Sequence, residues 1–235
     1  MNNFLKDDEA QRKIKKNKRD IIGIVDSSKN INSQLTKYVD VTNTSVISST
    51  AQFVLLNGVA AGSDFYQRTN RTINGKEIKI NIEFKQHATA IGYYPDDTAR
   101  ILVVWDHQAD ATPTISDVLL DLNTLGVTNS DNLSHKNINN KERFIFLANR
   151  RYALPGYTIT TTNQINTVNS PQDPNNEIWS ETINIKLDSF ITRFNGTGST
   201  ISAINTGALY FIVFGSVPSS GWSVNLCARY SFYDI

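Results

Sequence analysis

Residues 72–85 read TINGKEIKINIEFK. In the second half of this segment every other residue is apolar, and charged or amide residues stand between them. Because successive side chains of a β-strand point to opposite faces, this alternation predicts a strand with one apolar and one polar face. The apolar face belongs in a core, and the polar face is left for solvent or a partner. The apolar positions are Ile78, Ile80, Ile82 and Phe84.

Seven other segments carry a similar strand pattern. Each is rich in β-branched or aromatic residues and is bounded by Gly, Asn, Asp or Pro, which commonly end strands. Near the end of the chain, for example, Val224 and Leu226 alternate with polar neighbours. The predicted strands are 37–47, 51–56, 72–85, 100–106, 143–149, 178–187, 208–215 and 223–233.

These elements predict an all-β protein. One short helix is expected at 115–122, where Thr114 and Asp117 can form a capping pair. Eight strands with no repeating strand–helix–strand order favour two packed antiparallel sheets, and the preferred arrangement is an eight-stranded jelly-roll sandwich over 37–235. The free edges of such a sandwich need cover, which a homo-oligomer would supply.

The N-terminal arm and connector, 1–36, differ from this body in charge. The whole chain has 23 Lys and Arg against 22 Asp and Glu, so removing six arm cations leaves 17 against 22. Acids precede bases in the arm, which predicts a marginal helix over 4–18. Ser, Asn and Lys make 26–36 a flexible connector. The six cations are Arg12, Lys13, Lys15, Lys16, Lys18 and Arg19.

Such a cluster is attracted to the phosphates of nucleic acid, because each neutralised phosphate releases a condensed counterion. The arm has no aromatic residue after Phe4 to stack on bases, so salt-sensitive binding without sequence preference is expected. The alternatives for the arm are a disordered soluble tail and a nuclear localisation signal.

Several segments, in this order and behind a basic arm, resemble the single-jelly-roll capsid proteins of small circular single-stranded DNA viruses. A more distant likeness is to the capsid protein of satellite tobacco necrosis virus. The segments are 53–64 (FVLLNGVAAGSD), 67–82 (QRTNRTINGKEIKINI), 100–108 (RILVVWDHQ), 113–119 (PTISDVL), 143–147 and the closing strand to residue 235.

This resemblance implies a subunit that binds copies of itself, about sixty in the smallest closed icosahedral shell. It places the arm inside on a single-stranded genome, with DNA expected, and the protein in the virion and, during assembly, in the host nucleus. It also makes Arg68 and Arg71, just before the strand at 72–85, candidates for contact with the genome or a neighbouring subunit, the alternative being solvated arginines. The arm has only two arginines, and the stretch after Arg151 is rich in Asn and Thr. These two departures leave the host, its receptor and the choice between DNA and RNA open.

The single turns and aromatics give further expectations. Trp222 follows a Ser-Ser-Gly turn, which predicts an exposed ring at a subunit interface. The rival interpretation has the ring capping the core between the last two strands. Trp105 and Trp179 are expected in the core, and the single Cys227 as a small buried residue.

No pattern in the sequence predicts catalysis or a cofactor. His87, His107 and His135 are far apart, and no catalytic triad order, phosphate loop or zinc spacing occurs. The longest apolar run, 208–214, is too short to span a bilayer, and the first twenty residues lack a secretory pattern. Metal binding is open: four carboxylates are either calcium ligands between subunits or ordinary loop acids. They are Asp96, Asp97, Asp106 and Asp188.

Two other functional classes fit the same features. One is a soluble trimeric or monomeric jelly-roll binding module, lectin-like or tumour-necrosis-factor-like, in which the basic segment is only a tail. The other is a nucleic-acid chaperone that binds strands without forming a shell. Formation of closed particles separates both from a capsid protein.

Overall fold

A computed structural model of the chain describes residues 35–86, 92–120, 133–159, 179–218 and 220–235. The one α-helix in these ranges, α1, spans Ile115–Val118, and two 3-10 helices span Ile138–Asn140 and Ile201–Ala203. The strands are β1 Lys37–Val46, β2 Gln52–Leu55, β3 Thr72–Gln86, β4 Gly92–Tyr94, β5 Asp97–Asp106, β6 Phe144–Leu154, β7 Tyr157–Ile159, β8 Trp179–Lys186, β9 Ile191–Phe194, β10 Ile204–Thr206, β11 Ala208–Phe214 and β12 Trp222–Asp234.

Two antiparallel sheets form the body. Sheet I has the order β1-β12-β3, and β3 then pairs with both β8 and β9. Sheet II has the order β2-β11-β5-β6, and a small third sheet pairs β4 with β7. Of the eight predicted strands, sheet I therefore holds the first, eighth, third and sixth, and sheet II the second, seventh, fourth and fifth. This is the strand order of a jelly roll, so the predicted all-β jelly-roll fold is confirmed.

The predicted elements match the structure closely. Every predicted strand overlaps an observed one, with ends that differ by no more than five residues. The capping pair is present, with the Thr114 amide donating to Asp117 Oδ2 at 2.7 Å. The helix is shorter than predicted, because Leu119 already has an extended backbone. No helix in the described part of the chain is long and apolar enough to cross a membrane.

Sheet I buries only one of its faces. The alternation in β3 places the four apolar residues from Ile78 to Phe84 in the core and the residues between them outside. Strand β12 alternates in the same way, with Leu226 and Ala228 inside. Cys227 lies between them and is exposed, so the expected buried cysteine is wrong. Its position in the alternation, rather than its apolar character, decides its exposure.

The two central strands of sheet II, β11 and β5, are buried on both faces. All seven residues of β11 and nine of the ten in β5 are buried. The connection from β5 to β6 supplies the outer cover, with Val118 and Leu119 fully buried in the same apolar cluster. Arg100 fastens this cover by donating from Nη1 to the Ser134 carbonyl oxygen at 2.7 Å. Continuous apolar runs in β5 and β11 are the sequence consequence of this double burial.

Candidate nucleic-acid and assembly surfaces

The six arm cations predicted to bind nucleic acid, from Arg12 to Arg19, lie outside the described residues, as do His87 and the predicted helix in the arm. The candidate surfaces are therefore built from the jelly-roll body. Four features bear on function: the connection before β3, the outer face of sheet I, the turn before β12 and the sheet edges.

Arg68 is a structural residue, which corrects its predicted role in nucleic-acid binding. Its side chain is only 2% exposed. Nε donates to the Val59 carbonyl at 3.0 Å, Nη1 to that of Asn70 at 2.9 Å, and Nη2 to that of Gly196. The guanidinium carbon also lies 3.9 Å from the centroid of the Phe194 ring. Arg68 thus joins the connection before β3 to the far end of β9.

Arg71 differs from Arg68 because it is exposed at the start of β3. Its role in nucleic-acid binding stays a prediction. The three carbonyl acceptors that hold Arg68 come from residues up to 128 positions away, so no local sequence pattern distinguishes the two arginines.

A carboxylate fixes the start of β1 to the connection before β3. Asp234 accepts hydrogen bonds from the Thr69 amide and hydroxyl, both at 2.6 Å, and from the Asn70 amide at 3.0 Å. Lys37, the first residue of β1, donates to the same carboxylate at 3.0 Å. Burial raises the pKa of Asp234, but these hydrogen bonds outweigh it and hold the pKa below its ordinary value.

The outer side chains of sheet I form four rows across strands β1, β12, β3 and β8. We call this surface the open face. The first two rows carry charged and aromatic residues, and the last two carry mainly small polar ones. In that strand order the rows are Tyr38, Ser231, Glu77 and Lys186; Asp40, Arg229, Lys79 and Asn184; Thr42, Cys227, Asn81 and Thr182; and Thr44, Asn225, Glu83 and Ser180.

Some charges on the open face are paired. Arg229 makes two hydrogen bonds of 2.7 Å to Asp40, which lowers the pKa of Asp40. Its guanidinium carbon lies 4.3 Å from the centroid of Tyr38. Three exposed cations, Lys79, Lys186 and Arg193, make no ion pair within 4.0 Å to any described residue.

Aromatic residues flank the first row. Phe65, in the connection before β3, is 45% exposed and packs edge-on against Tyr38, with 5.2 Å between ring centroids. Tyr233 continues the outward positions of β12, and the Lys76 Nζ lies 5.6 Å from its ring centroid. The end of the open face where β1 begins thus combines cations with aromatic rings.

Trp222 lies in the core, so the prediction of an exposed interface residue is wrong and the rival interpretation, a cap on the core, is confirmed. The ring is 1% exposed, and its Nε1 donates to the Pro155 carbonyl at 3.1 Å. It packs edge-on against Tyr157, which stacks on Tyr94. Trp222 falls in the same alternation as the inward residues Val224, Leu226 and Ala228 of β12, so the sequence pattern already indicated its burial.

The four candidate calcium carboxylates do not converge. Asp106 is fully buried and forms a two-bond pair with Arg143, at 2.8 and 2.9 Å. Asp97 accepts from the amide of Ser216 at 2.7 Å, whereas Asp188 is exposed in the turn after β8. Within the described ranges, no three His, Cys, Asp or Glu side chains are grouped so that they could hold a metal ion.

The sheet edges and several large apolar residues are uncovered in the isolated subunit. Strands β1, β2, β6 and β8 each pair on one side only among the described strands. Trp179, expected in the core, is 38% exposed at the start of β8, so that prediction is wrong. Unpaired edges and exposed apolar residues are typical of surfaces that another chain covers. The other large exposed apolar residues include Val46, Tyr93, Leu133, Ile138, Ile145 and Ile191.

Comparison with known proteins gives structural neighbours only. No protein-family profile matches the sequence, and no curated protein matches it significantly. A chain in the structure of desmodium yellow mottle tymovirus is 13% identical with a TM-score of 0.30, covering 86% of this chain and 88% of its own. The Triatoma virus empty capsid is 10% identical with a TM-score of 0.29, covering 86% and 88%. The 60-mer BFDV capsid protein is also 10% identical at 0.29, covering 86% and 95%.

Proposed function

We propose that this chain is a viral capsid protein that assembles into a small icosahedral shell and packages a single-stranded nucleic-acid genome through its basic arm. The observation that carries the proposal is the joining of a jelly roll, 37–235, to an arm with six cations and no acid in residues 12–19. DNA is the proposed genome, and the virion the proposed location. No catalytic step is part of this function.

Assembly explains surfaces that a lone subunit leaves uncovered. Strands β1, β2, β6 and β8 each pair on one side only, and several large apolar side chains are exposed among the described residues. Closed symmetric association of about sixty copies would pair or cover these surfaces in every subunit. The partner in this proposal is therefore a second copy of the chain.

Packaging explains the separation of charge along the sequence. The body and connector are acidic in total, so the arm is the part with a strong net attraction for phosphate. Release of counterions from the nucleic acid would drive binding without reading its sequence. The same basic segment would serve as a nuclear localisation signal before assembly.

Electron microscopy of the expressed protein tests the proposal directly. We expect closed particles in negative stain, with an ultraviolet absorbance ratio that shows packaged nucleic acid. A variant with all six arm cations changed to Ala should retain the folded body and lose most of the packaged nucleic acid. A monomer or trimer at every salt concentration would instead support the soluble binding module. Strand binding without particles would support the chaperone.

A further inference from the structure

The cations at one end of sheet I follow the direction of β3. Lys79 and Lys186 are diagonal neighbours on β3 and β8, and Arg193 on β9 lies opposite Thr72. Lys76 lies between them, above Tyr233. From residue 79 to residue 72 the strand rises by about 23 Å. We call Lys76, Lys79, Lys186 and Arg193 the cationic track.

Few acids offset this track. Glu77, opposite Lys186, and Asp188, in the turn after β8, are exposed acids beside it, whereas Asp234, opposite Ile73, is already paired with Lys37. Asp40 and Glu83, the other acids of the open face, are already paired with Arg229 and Lys85. The track therefore presents a local excess of positive charge on a domain that is acidic in total, which is a complement to a linear polyanion.

Aromatic rings beside the track distinguish among polyanions. Tyr38 lies in the same cross-strand row as Lys186, and Phe65 packs against Tyr38 with its own ring 45% exposed. Bases of a single strand can stack on such rings while its phosphates meet lysine and arginine. A sulfated polysaccharide has anions but no bases, so it would use the cations alone.

We propose that the open face of sheet I, through the cationic track and Phe65, is a second binding surface for single-stranded nucleic acid, in addition to the arm. This inference rests on the proposed packaging function and deepens it. It assigns base contacts, which the arm cannot make after Phe4, to the jelly-roll body. It also orients the subunit, because a surface that binds the genome must face the inside of the shell.

The test measures binding of labelled oligothymidylate to the full-length protein as salt is varied. The variant Lys79→Gln/Lys186→Gln should lower the slope of log affinity against log salt by about 1.4, and the affinity by about tenfold near 0.15 M salt. The matched control Lys141→Gln/Arg151→Gln removes the same charge from exposed residues outside the open face. It should leave the slope within error of the unsubstituted protein.

The aromatic contact has its own variant. Phe65→Leu keeps an apolar contact with Tyr38 but cannot stack on a base, so oligothymidylate affinity should fall about fivefold or more. Phe65→Trp, which keeps a ring that can stack on a base, should retain the affinity of the unsubstituted protein. Heparin is the comparison polyanion, and its affinity should not change in either Phe65 variant.

Each other outcome overturns this inference in a recognisable way. If the track variant and the control variant lose the same affinity for oligothymidylate, only the total charge of the protein matters. If Lys79→Gln/Lys186→Gln weakens the binding of heparin and of oligothymidylate alike, and Phe65→Leu has no effect, the open face is a general surface for polyanions. If neither pair matters but the arm variant abolishes binding, the open face is not used and the proposed function stands. If the unsubstituted protein binds no strand, the proposed function itself fails.

Discussion

The two sheets of this jelly roll are built on opposite plans. The central strands of sheet II, β11 and β5, are buried on both faces, between the core on one side and the connection from β5 to β6 on the other. Sheet I is buried on one face and leaves a polar, charged face open. The strand sequences show the difference. Strand β11 is an unbroken apolar run, ALYFIVF, whereas β3 alternates apolar and polar residues strictly after residue 76. The open face is therefore the one broad sheet face among the described residues that is free to meet a partner, in addition to the sheet edges.

The largest expected effect is at Trp222, where the first residue of β12 closes the core of the sandwich. Trp222→Ala should destabilise the unassembled subunit by about 3–5 kcal/mol, because it leaves a large cavity. It also removes the hydrogen bond to Pro155. Denaturant unfolding followed by circular dichroism measures the loss. The control is Trp179→Ala on the exposed edge, for which we expect a change below about 1 kcal/mol.

Two arginine–aspartate pairs with the same geometry give the sharpest test of the difference between the sheets. Arg143 pairs with fully buried Asp106 at the edge of sheet II, whereas Arg229 pairs with Asp40 on the open face. Arg143→Met should cost about 3 kcal/mol, because it leaves a buried carboxylate without its cation. Arg229→Met should cost less than about 1 kcal/mol, because water solvates Asp40. Equal costs would contradict the contrast between the sheets.

Most of the fold could be predicted from the sequence. A strand buried on one face alternates apolar and polar residues, and a strand buried on both faces is an unbroken apolar run. All eight strands and the capping pair at Thr114 were found in this way. The alternation in β12 also indicates that Trp222 is buried and that Cys227 is exposed. The Ser-Ser-Gly turn and the apolar character of cysteine suggest the opposite. The alternation decides because the backbone fixes side-chain direction.

The candidate surfaces could be predicted only in part. The arm follows directly from composition, but the open face depends on register. Lys79 and Lys186 are 107 positions apart, and only the pairing of β3 with β8 makes them neighbours. Likewise, the sequence around Arg68 does not distinguish it from an exposed arginine. Only the fold brings the Gly196 carbonyl to its side chain. Contacts of this kind come from topology, which composition and periodicity do not contain.

A smaller effect is expected at Asp234, which ties sheet I to the connection before β3. Its pKa in the folded state is below the ordinary carboxyl value, so its stabilising contribution is complete above about pH 4. That contribution is lost as pH falls through the lowered pKa. Asp234→Asn should cost about 1–3 kcal/mol at pH 7 and less at pH 3. Urea unfolding at both pH values measures the difference, and an equal cost at both would contradict the assignment.

The smallest expected effect separates the two faces of sheet I by a single residue. Cys227 is exposed on the open face, and Ala228 is buried on the core face of the same strand. In the native unassembled subunit, Cys227 should therefore react with a maleimide at a rate close to that of a free thiol. A variant that moves the thiol by one position, Cys227→Ser/Ala228→Cys, should react only when the subunit unfolds. Both proteins should react equally fast in denaturant, and Cys227→Ser alone should change stability by less than about 0.5 kcal/mol.

The same thiol then reports on the orientation of the subunit in a shell. If the open face lines the interior, assembly should slow the reaction of Cys227 with a reagent too large to pass through the shell, while a small maleimide still reaches it. If the open face is at the outer surface, both reagents should react at the rates seen in the unassembled subunit. If it is buried between subunits, neither should react until the particle is taken apart. Because Cys227 lies in the row next to Lys79, only the first outcome is compatible with genome binding by the open face.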